Sequence, residues 1–317
     1  PVSAPPYIQR GIPAFEVLSD DNLSKIENAA DQILAKVGID IRDDDECLDM
    51  FKKAGANVQG MRVKFEPGHL REILKTAPRQ FTQYARNNSR NVEIGGNNVV
   101  FAPAYGSPFV MDLDKGRRYG TIEDFQNFIK LAYDCPWLHH SGGTVCEPTD
   151  VPVNKRHLDM VYAHFKYSDK AMMGSITSEE RAEDSIAMAR LVFGESFVDK
   201  NCVILGNVNV NSPLLWDGTM TKAARAYARA NQAAVIVPFI LGGAIISALA
   251  MYFMPNAEYF AYLLPPLVFG AVMLLLMDTS FNVTMQPFRA LVGDMVNDHQ
   301  RNLGYSLQSA LINFGAV

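Results

Sequence analysis

The sequence predicts an α/β protein: an incomplete parallel (β/α) barrel of TIM type, with an α/β extension before it and transmembrane-type helices after it. Three observations predict this. Strand-like runs at His139–Cys146, Ala171–Thr177, Val203–Val210 and Ala234–Leu241 begin 32, 32 and 31 residues apart. Helical stretches lie between them, and alternation at that spacing marks βα units with parallel strands. Finally, charge nearly vanishes at one point. Residues 233–317 hold two arginines, no lysine and four acidic residues, of 29 basic and 34 acidic in the 317-residue chain.

In chain order, the extension covers 1–98. Asp20–Val37 carries apolar residues at Leu23, Ile26, Ala29, Ile33, Leu34 and Val37, a helical stripe. Gly38 follows as a C-terminal cap. Asp44–Lys53 and Pro67–Ala77 are further helices, the second with proline in its first turn. Gln80–Glu93 alternates and contains polar turns. The barrel piece spans 99–241. Its first strand is Val99–Ala102, and its helices are Thr121–Tyr133, Asn154–Tyr167, Glu179–Phe193 and Thr219–Asn231. Thr121 and Thr177 each begin a capping-box pattern.

A parallel sheet with helices on both sides is apolar on both faces. Here Asn207, Asn209 and Asn211 share one face, with Val208 and Val210 on the other. Ser175 and Thr177 likewise oppose Ile176. A barrel with a polar lumen fits that pattern better than an open sheet, and no Gly-x-Gly-x-x-Gly or Walker motif supports a nucleotide site. After Leu241 the pattern stops. Ala233–Phe253 and Tyr259–Met277 are uncharged runs of 21 and 19 residues. Each is long enough to cross most of a ~30 Å hydrocarbon layer, although buried core helices are the alternative.

The net charge of −5 argues against nucleic acid as a partner. Cys47, Cys135, Cys146 and Cys202 form no C-x-x-C pair, which suits a reducing, cytoplasmic setting for 1–241. The chain begins at Pro1 with no leader pattern, as a fragment or processed product would.

Barrel chemistry gathers at the C-terminal ends of strands. Glu147 is the only carboxylate directly at such an end, fit to act as a base or hold a cation; a loop salt bridge is the alternative. The asparagines at 207, 209 and 211 can bind a ligand or satisfy one another as a ladder. Cys135, His139, His140 and Cys146 invite a metal, but strand alternation sends the two histidines to opposite faces, and no metal site is expected. Asp114–Arg118 reads as a solvated hairpin tip, able alternatively to dock an acidic partner.

Several stretches in order carry a resemblance. They are Ile33-Leu34 with Val37-Gly38-Ile39, Lys53-Ala54-Gly55-Ala56, Ala85-Arg86-Asn87, Phe101-Ala102-Pro103, Gly106-Ser107-Pro108, Gly116-Arg117-Arg118 with Thr121 and Asp124, and Asn209 with Asn211-Ser212-Pro213-Leu214. With these, Leu18 to about Gly243 resembles the trimethylamine methyltransferase family. The resemblance implies a barrel enzyme that moves a methyl group from a small methylated amine to the cobalt of a corrinoid (cobalamin). That corrinoid is carried by a partner protein, not by this chain. One branch of the family uses pyrrolysine; a larger one lacks it and includes glycine betaine methyltransferases. Together with the strand ends, the resemblance puts Tyr105, Glu147, Asn209, Asn211 and Ser212 at the substrate mouth, with Glu147 as the candidate to hold the cationic amine, and leaves the catalytic residue unknown.

The family's barrel continues beyond this point. Here Pro238–Ala244, Met254–Ala257, Asp278 with Asn282, Pro287–Asp294 and Gln300-Arg301 instead resemble a sugar or cation symporter of the major facilitator superfamily. That resemblance implies a chimera joined near 238–244, with membrane contact through 242–277. It sets two function classes against each other: a methyltransferase inactivated by truncation, and a transport-protein fragment. A corrinoid-protein or amine-binding module without turnover is a third.

Overall fold

The structure is a computed structural model that describes residues 6–12, 19–104, 106–209 and 214–237. The chain divides into two units: Pro1–Tyr105 with Phe109–Val237, and Gly106–Pro108 with Pro238–Val317. Only the first is followed below. The apolar runs expected to span a membrane at 242–277 lie outside the described residues, as do the helices expected beyond them. Among the described residues no helix is long and apolar enough to cross a membrane.

The extension opens with β1 (Ile8–Gln9), α1 (Asp20–Lys36), β2 (Ile39–Arg42), α2 (Asp45–Lys53), β3 (Asn57–Gln59), β4 (Arg62–Lys64) and α3 (His69–Leu74). Gly38, at φ +77°, ends α1 as predicted: its N–H reaches Ile33 O at 2.9 Å. The stripe along α1 does not enter a core, for no residue of this helix is buried. Leu34 alone of the stripe packs against the extension's apolar cluster around Ile39, Ile41, Val63 and Phe65. The third helix is shorter than predicted. Gly68, at φ +82°, holds its N-terminus in a left-handed conformation, so Pro67 stays outside it.

Next come β5 (Gln80–Gln83) and β6 (Val92–Gly95), an antiparallel hairpin, then β7 (Asn98–Val99). β7 corrects the predicted first barrel strand, because it pairs antiparallel with β1 and not with any barrel strand. β8 (Phe109–Asp112) and β9 (Gly116–Tyr119) form the hairpin expected around Asp114–Arg118. Its tip at Asp114 and Lys115 is exposed, as expected, and behind it Arg118 pairs with Asp124 at 2.5 Å and Asp112 at 3.2 Å. Both partners hold their carboxyls below the usual range, Asp124 chiefly through Arg118 and Asp112 chiefly through the Lys115 N–H.

The βα units follow: α4 (Ile122–Asp134), α5 (Val153–Tyr167), β10 (Met172–Met173), α6 (Glu179–Phe193), α7 (Glu195–Val198), β11 (Ile204–Asn209), β12 (Leu215–Asp217), α8 (Gly218–Arg229) and β13 (Ala233–Val237). Thr121 and Asp124 complete the predicted capping box on α4. On α6 the cap is Ser178, one residue after the predicted Thr177, because the Ser178 side chain is the one that accepts from Arg181 N. β10, β11 and β13 pair parallel in sequence order, with Met172 beside Ile204 and Leu205 beside Ala233. His140 adds a single parallel bridge to Ala171, so the long strand predicted over His139–Cys146 is one rung. Gly142, at φ +87°, turns the chain away at that point.

β12 was not predicted. It leaves the barrel-type array and pairs parallel with β2, at the edge of the sheet ordered β12-β2-β4-β3. A buried ion pair secures this crossing. Asp44, whose side chain is 1% exposed, caps α2 through Cys47 N and accepts from Thr221 and Arg225 of α8. Burial pushes the Asp44 carboxyl up, but these donors more than offset it and leave it below the carboxylate range.

Three buried polar side chains close the start of the parallel strands. Gln83 Nε2 donates to Met172 O at 2.8 Å and Val203 O at 3.3 Å. Gln232 Oε1 accepts from Val203 N and Ile204 N, and its amide donates to Val198 O, Asn201 O and Ala230 O. Lys170 Nζ donates to Ala132 O, Cys135 O and Leu138 O at 2.6–2.9 Å. Burial, helped by Arg90, lowers the Lys170 pKa to about 8.

Gln83→Leu keeps the volume, removes a second hydrogen bond to Met172 O and Val203 O, which stay paired in the β10–β11 ladder, and leaves buried His140 Nε2 without its acceptor. A buried donor left unpaired costs about 1–3 kcal/mol. The urea midpoint of the variant is therefore expected to fall; an unchanged midpoint would show that Gln83 is dispensable.

Candidate active site

The C-terminal ends of the parallel strands converge on one region, and the side chains there are set from beneath by Tyr227 of α8. This residue is fully buried, and its Oη donates to Ser175 O at 2.9 Å. Burial raises its pKa, so it stays a neutral donor. Two glycines make room for it. A Cβ on Gly174 would sit 2.2 Å from Tyr227 Oη, and one on Gly206 would sit 3.1 Å from the ring. Gly206 therefore faces α8, and strand alternation turns Leu205 and Asn207 to the opposite face.

Asn207 is the informative one. Its backbone lies in register with Val235 of β13, and its Oδ1 is buried without a hydrogen-bond partner. The self-satisfying asparagine ladder is thus not formed at this position. A dry, unpaired amide oxygen costs free energy unless something supplies positive charge or a donor. Asn209 lies in β11 beside Val237, and its side chain is outside the described set. Tyr105, Asn211 and Ser212 lie outside the described residues.

Glu147 sits after the turn at Gly142, partly exposed, and is held by Arg156 of α5 at 2.5 Å. Arg156 is itself buried, and its remaining donors go to Val151 O at 2.9 and 3.1 Å. The carboxylate is charge-balanced before any ligand arrives, as the salt-bridge alternative expected.

Between the strand end and Glu147, buried histidines shape the loop. His140 Nδ1 accepts from Gly142 N at 2.9 Å, which leaves its proton on Nε2, 3.2 Å from Gln83 Oε1. His164 Nε2 lies 2.8 Å from Gly143 O, so that nitrogen carries the proton, and Nδ1 accepts from Ser141 Oγ at 2.7 Å. Both networks require neutral rings. Burial supplies the reason, lowering the pKa of His140 to about 3, helped by His164, and that of His164 to about 4. His139 points elsewhere: its Nδ1 accepts from Phe101 N and its ring stacks on Phe101 at 5.7 Å. Among the described residues no His, Cys, Asp or Glu group could hold a metal ion.

Sequence reasoning missed Gln83, His164, Lys170, Arg156 and Tyr227. Only Tyr227 left a trace, in the glycines at 174 and 206 that accommodate it.

With this geometry described, comparison places the chain. The trimethylamine methyltransferase (MTTB) family model matches residues 2–261. The chain belongs to that family. The match runs past the boundary expected at 238–243 and takes in residues 244–261, which the transporter resemblance had claimed. The glycine betaine methyltransferase of Desulfitobacterium hafniense strain Y51 is 40% identical over 233 residues, 73% of this chain and 48% of that protein. An L-carnitine:corrinoid methyltransferase of Eubacterium limosum is 30% identical over 208 residues, 61% of this chain and 41% of that one. Among solved structures, the hydroxylamine complex of MtmB matches with a TM-score of 0.34 and 11% identity, covering 67% of this chain and 49% of the other. The MTTB-family chain thus spans about half the length of the curated relatives it matches.

The histidines set a pH dependence. An unfolded histidine titrates near 6.5, and the folded values are lower. As pH falls below about 6.5 the unfolded chain gains protons that the folded chain refuses, so stability drops toward pH 4. The paired carboxylates contribute only below their own unfolded range, near 4. Denaturant midpoints are expected to fall between pH 6.5 and 4.5, and His164→Gln should flatten that slope even if it is itself less stable. An equal slope in the variant would sink this assignment.

Proposed function

We propose that residues 1–241 form part of a corrinoid-dependent methyltransferase barrel that accepts a small quaternary amine of the glycine betaine type. The observation that carries this reading is the unpaired Oδ1 of Asn207 within a parallel strand, in a chain of this family. A quaternary ammonium has no N–H to donate. It is recognised by oxygen atoms facing its polarised methyl groups and by aromatic faces. Asn207 offers such an oxygen without adding a net charge, while Glu147 stays with Arg156. Tyr105 would supply an aromatic wall, and Asn209, Asn211 and Ser212 further polar atoms of the mouth.

The corrinoid of a partner protein supplies the nucleophile that takes the methyl group. The C–N bond breaks, and the nitrogen keeps the electron pair and leaves as a neutral tertiary amine. For this chain the work is to orient one methyl outward and keep the positive charge in place until transfer. The proposed partners are therefore the methylated amine and a corrinoid protein, in the cytoplasm.

Among the described residues the array has three paired strands and one further rung, short of the eight that close a barrel. The 317-residue chain alone is expected not to turn over. The test replaces 238–317 by the corresponding half of the glycine betaine relative and assays methyl transfer to a corrinoid acceptor. Turnover is expected, and Asn207→Ala should lower kcat/KM by about 10- to 100-fold, the scale of one contact to a charged group. A folded hybrid inactive on every methylated amine would overturn the reading.

A second reading is favoured by the two uncharged runs alone, Ala233–Phe253 and Tyr259–Met277. In it, the C-terminal segment is a transporter-derived fragment joined in a chimera, and the chain partitions into membranes through 242–277. Two spans are too few for the paired repeats that alternating access needs, so no transport is expected even then. Carbonate extraction separates the cases: release to the supernatant would end the membrane reading. Amplification of source DNA across codons 230–250 tests the join.

A further inference from the structure

Part of the apolar surface of α1, formed by Leu23, Ile26, Ala30 and Ile33, is uncovered in the described fold. Leu23, Ile26 and Ile33 are 45%, 57% and 46% exposed, and Ala30 is also exposed. The helix is attached by a different face. Arg71 of α3 holds Glu27 at 3.1 Å and Asp31 at 2.8 Å, and Leu34 joins the extension's core. At 100° per residue, Glu27, Asp31 and Leu34 lie roughly a quarter-turn from the exposed stripe, so attachment does not cover it.

The spacing of that stripe is regular. Leu23, Ile26, Ala30 and Ile33 are separated by three, four and three residues, the a–d–a–d order of a heptad seam. Reversed, the same series is self-complementary. An antiparallel copy sets Leu23 against Ile33 and Ile26 against Ala30, and the small alanine lets the helices approach closely. The ends agree with this register. Asp20 and Asp21 lie in the first turn and Lys36 in the last, so the same alignment that pairs Leu23 with Ile33 brings Asp20 opposite Lys36. It also sets each helix N-terminus beside the partner's C-terminus, the favourable direction for the macrodipoles. A parallel pairing would put Asp20 and Asp21 beside their own copies.

We propose that α1 is a homodimerisation helix, and that the occupant of its exposed seam is α1 of a second copy of this chain, antiparallel, in the register that opposes Leu23 with Ile33 and Asp20 with Lys36. Four layers of side chains form a short contact. It is smaller than the ~1,200 Å² at which stable interfaces begin, so the dimer is weak and depends on concentration. This inference does not depend on the substrate or on the proposed methyl transfer.

Sedimentation of the full chain tests it. The weight-average mass is expected to rise from monomer toward dimer as concentration increases. Ile26→Asp places a charge in the seam at an exposed position and is expected to hold the chain monomeric with an unchanged thermal midpoint. Lys36→Glu should weaken association, and adding Asp20→Lys to it should restore it. Mild oxidation distinguishes the register. Leu23→Cys and Ile33→Cys chains should cross-link when mixed, whereas Leu23→Cys alone should not, because its two copies are offset by ten residues, about 15 Å along the axis. Three results would each overturn the proposal. They are a monomer at every concentration up to about 100 μM, a dimer indifferent to Ile26→Asp, and cross-linking by Leu23→Cys alone.

Discussion

The parallel strands of this protein begin in a dry interior, and their backbone groups must be paired there by something other than water. That requirement falls on three side chains. Gln83, Lys170 and Gln232 are buried, and between them they satisfy Met172 O, Val203 N, Val203 O, Ile204 N and the carbonyls that end α4 and α7. A leucine at any of the three would fill the space and remove these hydrogen bonds. Register follows from this. Gln83 spans β10 and β11 at once, so its contacts are lost if either strand slips.

What happens at the other end of the strands depends on the same anchoring. Gln83 also holds His140 in one tautomer, His140 in turn accepts from Gly142, and the chain turns out of the sheet at that residue. His164 then ties Ser141 and Gly143 to α5. The loop that carries Glu147 is therefore placed by a series of neutral, buried groups. Tyr227 performs the corresponding task under Ser175, and it leaves Asn207 turned away from α8 with an oxygen unused. The face opposite Asn207 is occupied by that aromatic ring and its glycine slots.

The helices were legible because amphipathic period and capping chemistry are local. Thr121 with Asp124 announces α4, and Gly38 ends α1, from a few adjacent residues. Strand extents were not legible. His139–Cys146 has the composition of a strand, yet only His140 pairs, since Gly142 and the imidazole acceptor redirect the backbone. Val99 has a strand's propensity and forms one, but with Ile8–Gln9, a partner 90 residues earlier that no local signal names. β12 escaped notice for the same reason, as its partner β2 lies more than 170 residues before it. Glu147 was singled out by position, but its pairing with Arg156 depends on how α5 packs.

By itself the sequence determined the family, the order of βα units, the helices and the loss of charge beyond residue 233. All of these depend on residue type and short-range spacing. The tertiary structure alone decided which buried polar atoms are paired and which are not. It paired Asp44 with Arg225 across 181 positions and Gln83 with Met172 across 89. It also left Asn207 Oδ1 unpaired and the α1 seam uncovered. The physical reason is that an unsatisfied atom or an exposed stripe is a property of what surrounds it, and those surroundings are assembled from residues far apart in the chain.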